Sequence, residues 1–294
     1  MSHATGLSNG GNISIKGSTA ALNSSVGHAV WIDITSIATA TGAITIEGDG
    51  NASNTLDFYL RGGDISSTSG PVTVSTSVAG GKAKFETSPA KITAGGALTL
   101  DLYQPTFTLL ELAGAGSKTI EPPTGASTFG AAVSTTNSTI ASTSSSLTVG
   151  SATNTSAITL GKATSIAGPI TVYGGDVTTS ANLTATTANG SIAINSNGTF
   201  TNSAAISSAG GNQPTTIKAE KAALTGSITS GTGVTQITGF SSGRTLDLGL
   251  TGDTTSTLAL TDAELDTITA GTIRVGDATS GNINVSASIS IASA

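Results

Sequence analysis

A short unit recurs along this chain: a glycine or other small residue, one spacer, then apolar, polar, apolar. It reads Gly11-Asn12-Ile13-Ser14-Ile15, Gly42-Ala43-Ile44-Thr45-Ile46, Gly70-Pro71-Val72-Thr73-Val74 and Gly96-Ala97-Leu98-Thr99-Leu100 in the first third. It returns as Ser146-Leu147-Thr148-Val149, Ala157-Ile158-Thr159-Leu160, Gly168-Pro169-Ile170-Thr171-Val172, Gly190-Ser191-Ile192-Ala193-Ile194, Thr272-Ile273-Arg274-Val275 and Gly281-Asn282-Ile283-Asn284-Val285. Alternation of this kind is the period of a β-strand, with Ile, Val or Leu on one side and Thr, Ser or Asn on the other. Strands of three to five residues bury too little to stand alone, so the core has to come from stacking one unit on the next.

Successive units lie about 10 to 12 residues apart, or two to three times that, which suits a solenoid coil of roughly 20 to 30 residues carrying two or three strands. The sequence therefore predicts an all-β fold, a parallel right-handed β-solenoid (β-helix). An immunoglobulin-like β-sandwich is the structural rival, but such cores are rich in aromatics, and here aromatics are 3% with a single Trp31. Gly or Asn is expected at corners that need φ > 0, with outward Thr and Ser solvated on the strands.

The pattern lapses between Leu102 and Ser145, around Tyr103-Gln104-Pro105, Phe107 to Leu112 and Glu121-Pro122-Pro123. Because Pro-Pro donates no backbone hydrogen to a ladder, an irregular insertion is expected over 102–145: a loop, a capping hairpin or a binding feature. Coils are expected over 1–101 and again over 146–294. A second exception runs from Leu258 to Gly271. Thr261 with Glu264 fits a capping box, Asp262 and Glu264 suit a helix N-terminus, and Gly271 is placed to close the turn, so a short corner helix is expected near 261–269.

Composition excludes several functions. With no Cys there are no disulfides, no thiolate nucleophile and no Cys-based zinc site. Charged residues are 10% against a globular norm of roughly 25%, and the net charge is −6. The eleven basic residues form no stripe, so no nucleic-acid partner is expected. No stretch is long and apolar enough for a membrane helix, and the start lacks the n- and h-regions of a signal peptide, so any export signal is expected outside this segment.

The run Leu258 to Val285, with its Thr-Ile-Thr-Ala-Gly-Thr-Ile-Arg-Val-Gly, resembles a module of the large exoproteins of bacterial two-partner secretion, the filamentous-haemagglutinin-like adhesins. The turns Gly62-Gly63-Asp64-Ile65 and Gly174-Gly175-Asp176-Val177 are similar to theirs too. The resemblance implies a right-handed β-helix carried across the outer membrane of a Gram-negative bacterium by a barrel transporter and displayed on or secreted from the cell surface. No Asn-Pro-Asn-Gly or Asn-Pro-Asn-Leu of the family's secretion domain is present, so the segment corresponds to shaft, and contact with the transporter belongs to regions outside it. Expected partners are a host or neighbouring cell surface, glycans or matrix, with end-to-end self-association into a fibre or surface layer as the alternative and ice binding by outward Thr residues as a further one.

Candidate chemistry is sparse. No catalytic residue, cofactor or metal site is expected: His3 sits in a leader, His28 stands alone, and Asp262, Glu264 and Asp266 are accounted for by helix capping. Gly48 to Asp57 is similar to a calcium-binding glycine-aspartate repeat but occurs once, and such a cage needs matching Asp on the next turn. The position that stands out is Val30-Trp31-Ile32-Asp33-Ile34. Parity sends Ile32 and Ile34 inward and leaves Trp31 and Asp33 on the outer face, a candidate carbohydrate contact.

Overall fold

A computed structural model describes residues 10–19, 27–33, 36–50, 56–77, 80–86 and 90–291. The chain divides into two compact units, Met1–Ser156 and Ala157–Ala294. Both are parallel β-solenoids.

In the first unit each coil has three strands, one on each of three faces. Coil one is β1 (Ile13–Thr19), β2 (His28–Asp33) and β3 (Ser36–Thr39); coil two is β4 (Ile44–Gly50), β5 (Leu56–Arg61) and β6 (Asp64–Ser67). Coil three is β7 (Val72–Thr76), β8 (Lys82–Glu86) and β9 (Ala90–Ala94); coil four is β10 (Leu98–Asp101), β11 (Gln104–Phe107) and β12 (Leu110–Ala113). Then come β13 (Lys118–Glu121), β14 (Val133–Ser134), β15 (Ser138–Ile140) and β16 (Leu147–Val149). On the first face Ile13, Ile44, Val72, Leu98, Lys118 and Leu147 stand in one register column. Coil length varies along that column, from 31 residues between Asn12 and Ala43 to far fewer between Leu98 and Lys118, yet the register holds. Turns absorb the difference, because a one-residue slip would send every apolar side chain to solvent.

Inward positions fill the core as alternation predicts. Ile46, Val74, Leu100, Ile120 and Val149 line the first face, and Ile65, Ile92 and Leu112 the third, all fully buried. The second face is lined by Phe58, Phe85 and Phe107, with successive ring centroids 5.4 Å apart. Each such side chain contributes about 1.5–3 kcal/mol by leaving water. The third face also turns hydroxyls inward at its corner: Ser67 donates to the Gly42 carbonyl at 2.7 Å and accepts from the Gly70 N–H at 3.0 Å, and Thr39 does the same for Gly11 and Gly42. Gly116 is required by stacking, since a Cβ there would lie 1.6 Å from the Gly96 carbonyl oxygen.

The irregular insertion expected over 102–145 narrows to residues 122–132, between β13 and β14. Pro122-Pro123 lies within it, but the flanking residues are ordinary coil. Pro105 is accommodated because β11 is the outermost strand of its sheet, where a missing N–H breaks no inner ladder.

The second unit comprises β17 (Ile158–Leu160), β18 (Thr164–Ile166), β19 (Ile170–Gly174), β20 (Val177–Thr179), β21 (Leu183–Ala185), β22 (Ile192–Asn202), β23 (Ile206–Ser207), β24 (Thr215–Leu224), β25 (Ile228–Gly239), β26 (Thr245–Leu248), β27 (Thr257–Leu260), β28 (Ile268–Val275) and β29 (Ile283–Val285). Strands β22, β24 and β25 continue around a corner, so one strand serves two faces. Late in the unit the spatial order departs from chain order. β27 packs on the end of β24, β26 pairs with β27, and β29 pairs with β26, so β27 is stitched in beneath a strand that precedes it.

The corner helix is α1 (Asp262–Leu265), with both arms of its capping box present: the Glu264 N–H donates to Thr261 Oγ1 at 3.2 Å and the Thr261 N–H to Glu264 Oε2 at 2.9 Å. Gly271 does not close it. The helix ends at Asp266, and Gly271 lies within β28, where a Cβ would sit 2.3 Å from the Thr232 carbonyl oxygen. The repeat copy at 281–285 forms β29, yet Ile283 and Val285 are exposed.

Candidate functional site

The outer side of the first unit's second face carries a concentrated group of side chains. Strand parity on β2 places Val30 and Ile32 in the core and leaves Trp31 42% exposed, as the sequence predicts; Ile34 lies outside the described residues. Register then adds what the sequence reading did not collect. Trp31 is the partner of Tyr59, and Tyr59 of Lys84; beside them Asp33 is the partner of Arg61, and Arg61 of Glu86. Three consecutive coils thus offer an aromatic-aromatic-lysine column next to an aspartate-arginine-glutamate column.

The aromatic rings form a group. Trp31 and Tyr59 stack at 6.0 Å between centroids with 25° between planes, and His28 joins both, at 5.0 Å from Trp31 and 5.3 Å from Tyr59. The Arg61 guanidinium lies over the Trp31 ring at 5.5 Å and the Lys84 ammonium over Tyr59 at 5.8 Å, both within cation–π range. Arg61 donates through Nε to Asp33 Oδ1 at 2.8 Å and through Nη2 to Oδ2, a forked pair, while Lys84 pairs with Glu86.

Electrostatics follow from these contacts. Hydrogen bonding to Lys84 holds the Glu86 carboxyl below its usual range, and the same bond raises Lys84. Burial lifts the Tyr59 phenol, with Glu86 adding to it, and burial pushes His28 below its ordinary value, so His28 is a neutral ring at pH 7. The patch is aromatic, fully ion-paired and of zero formal charge.

The missed members had a signal. Val30-Trp31-Ile32-Asp33, Phe58-Tyr59-Leu60-Arg61 and Ala83-Lys84-Phe85-Glu86 are aligned copies of one inward-outward pattern, visible once the coil length is known.

A second feature is an acidic cleft of about 370 Å³ between the first and second faces, lined by Glu47, Asp49, Ser75, Ser77, Asp101 and Thr124. Asp101 and Glu121 are register neighbours, and burial, reinforced by Glu121, raises Asp101 to about 6. Asp57, from the glycine-aspartate segment, is buried. Its Oδ2 accepts from the Ser77 N–H at 2.9 Å and hydroxyl at 2.6 Å. Residues 51–55 of that segment, and His3, lie outside the described residues. Among the described residues no three His, Asp or Glu side chains come together to hold a metal ion, and no helix is long and apolar enough to cross a membrane.

The outward threonines of the first face align better than their spacing suggested: Thr45, Thr73, Thr99, Thr119 and Thr148 occupy one column. The adjacent outward column holds Lys16, Glu47, Ser75, Asp101 and Glu121, so a flat Thr-x-Thr lattice is not formed here.

No protein-family model matches the chain, and neither does any curated protein or solved structure.

Proposed function

We propose that this chain is a shaft segment of a secreted bacterial surface adhesin, extending attachment regions from a Gram-negative cell and contacting glycans, matrix or neighbouring cells through its second-face patch. The observation that carries this reading is the exposed Trp31 with Tyr59, His28, Arg61 and Asp33, set on rigid in-register coils whose other outward positions are mostly Ser, Thr and small residues. A large exposed aromatic beside paired charges is costly to leave in water and typical of contact surfaces. The resemblance of Leu258 to Val285 to two-partner exoproteins supports the same compartment. Stacked coils suit reach, since length grows by repetition without a new core design.

The test is adhesion by the purified protein. Beads coated with it are expected to adhere to epithelial cells or extracellular matrix above beads coated with the Trp31→Ala protein; equal adhesion of both, or none, refutes the reading. Self-association is a second reading, favoured by the exposure of Ile283 (51%) and Val285 (68%) on β29, whose other edge has no partner among the described residues. Sedimentation velocity that shows one species over a hundredfold concentration range would remove it.

A further inference from the structure

The second-face patch carries enough chemistry to name a ligand class, and this step rests on reading that patch as the shaft's contact surface. We propose that it binds a neutral oligosaccharide, one pyranose lying with its C–H face on Trp31 and its hydroxyls hydrogen-bonded to Asp33 and Arg61.

Three observations lead there. First, the Trp31 ring is 42% exposed yet already positioned by Tyr59, His28 and the Arg61 guanidinium, so a ligand stacking on it orders little that is not ordered already. Second, the charges are spoken for. Arg61 is forked onto Asp33 and Lys84 is paired with Glu86, so two cations and two carboxylates cancel. An anionic ligand would have to displace a carboxylate from its cation and then approach a chain of net charge −6. A cationic ligand would be repelled by the charges of Arg61 and Lys84, held near the two rings it would seek, as an uncharged one is not. Third, hydrogen-bonding capacity is left over at the rim. A guanidinium has five N–H groups and Asp33 engages two, while each carboxylate oxygen can accept more than one bond. A ligand with an apolar face, many hydroxyls and no charge uses all three features. The aromatic column spans two coils, Trp31 and Tyr59, before Lys84 interrupts it. Tyr59 is buried while Trp31 is exposed, so Trp31 alone is open to stacking, which leaves room for one sugar ring.

Trp31 is the single tryptophan of the chain, so its fluorescence reports on this patch alone. The experiment titrates the protein with cellohexaose, maltohexaose and chitotetraose as neutral probes, and with tetragalacturonate and a heparin hexasaccharide as anionic ones. At least one neutral probe is expected to shift Trp31 emission, with a Kd unchanged between about 50 and 500 mM NaCl. By calorimetry, Trp31→Ala is expected to weaken that binding at least about tenfold. Asp33→Ala should weaken it similarly, and Asp33→Asn, which keeps an acceptor, should restore part of the loss. Because these side chains face outward, circular dichroism and melting of the variants are expected to match the parent.

No emission change with any neutral probe overturns the proposal. So does preferential, salt-sensitive binding of an anionic probe, or neutral binding that survives Trp31→Ala. The two levels separate cleanly. Beads that adhere while no neutral sugar shifts Trp31 leave the shaft and overturn the sugar, and a shift without adhesion does the reverse.

Discussion

Lys118 is the residue that most departs from its surroundings. It occupies an inward position in register with Leu98 and Leu147, is fully buried, and donates to the Gly114 and Gly116 carbonyls at 3.0 and 2.7 Å. Desolvation lowers its amine from 10.5 to about 8. Between those values the unfolded chain holds a proton that the folded chain has released, so stability rises as pH increases through that window and is below its plateau at pH 7. Lys118→Leu is therefore expected to stabilise at pH 7 by about 1–3 kcal/mol, an advantage that shrinks by pH 10, measured by melting at both values. Asp101 runs the other way. Its folded carboxyl keeps a proton up to about 6 against an ordinary 3.8, so folding takes up a proton between them and stability rises as pH falls through that range. Asp101→Asn is expected to raise stability by about 1 kcal/mol at pH 7.5 and by less at pH 4.5. Strand parity made Trp31 and Asp33 legible from sequence. The same rule hid Lys118, because Lys-Thr-Ile does not read as apolar-polar-apolar, and this concealed the coil within 102–145.

At the scale of elements, the stitched-in strand β27 shows how a solenoid closes a corner when the backbone ladder runs out. Two N–H groups of β24 that would meet a strand carbonyl meet carboxylates instead: Ala222 donates to Asp253 Oδ2 at 3.0 Å and Leu224 to Glu264 Oε1 at 3.1 Å. Asp253 Oδ1 also accepts from Ala259 of β27 at 2.8 Å, so one side chain joins the two strands. Arg244, ion-paired to Glu220 at 2.6 Å, holds the intervening loop through the carbonyls of Thr254, Thr255 and Thr257. Removing the clasp by Asp253→Ala strands two N–H groups and is expected to cost about 2–4 kcal/mol, with faster amide exchange at Ala222 and Ala259. Unchanged exchange there would show that water replaces the carboxylate without loss. The capping box was readable because Thr261 and Glu264 are local. Asp253 was not, since its partners lie on either side of it in a chain order that the pairing reverses. The third-face strands β3 and β6 were hidden for another reason: Thr39 and Ser67 are inward but polar, so no second apolar residue marks them.

For the whole molecule, the visible spacings mixed two distances, from face to face within a coil and from coil to coil, so the class of fold was legible in them and the three-strand coil was not. That architecture has a thermodynamic consequence. Among the described residues the ladders run from each coil to its neighbours, no disulfide ties distant parts, and the chain forms two compact units. Stability is then a sum of neighbour terms, and nothing obliges 294 residues to unfold together. Guanidinium unfolding followed by circular dichroism is expected to give a broad or stepwise transition, with an apparent slope well below that of a two-state protein of this length, and calorimetry a measured enthalpy larger than the van't Hoff value. Phe85→Ala, which removes the middle ring of the Phe58, Phe85, Phe107 stack, is expected to move only part of that transition, by about 3–5 kcal/mol. A single sharp transition that shifts as one body would mean the coils are coupled beyond their neighbours. The sum of neighbour terms would then fail as an account of what holds the fold together.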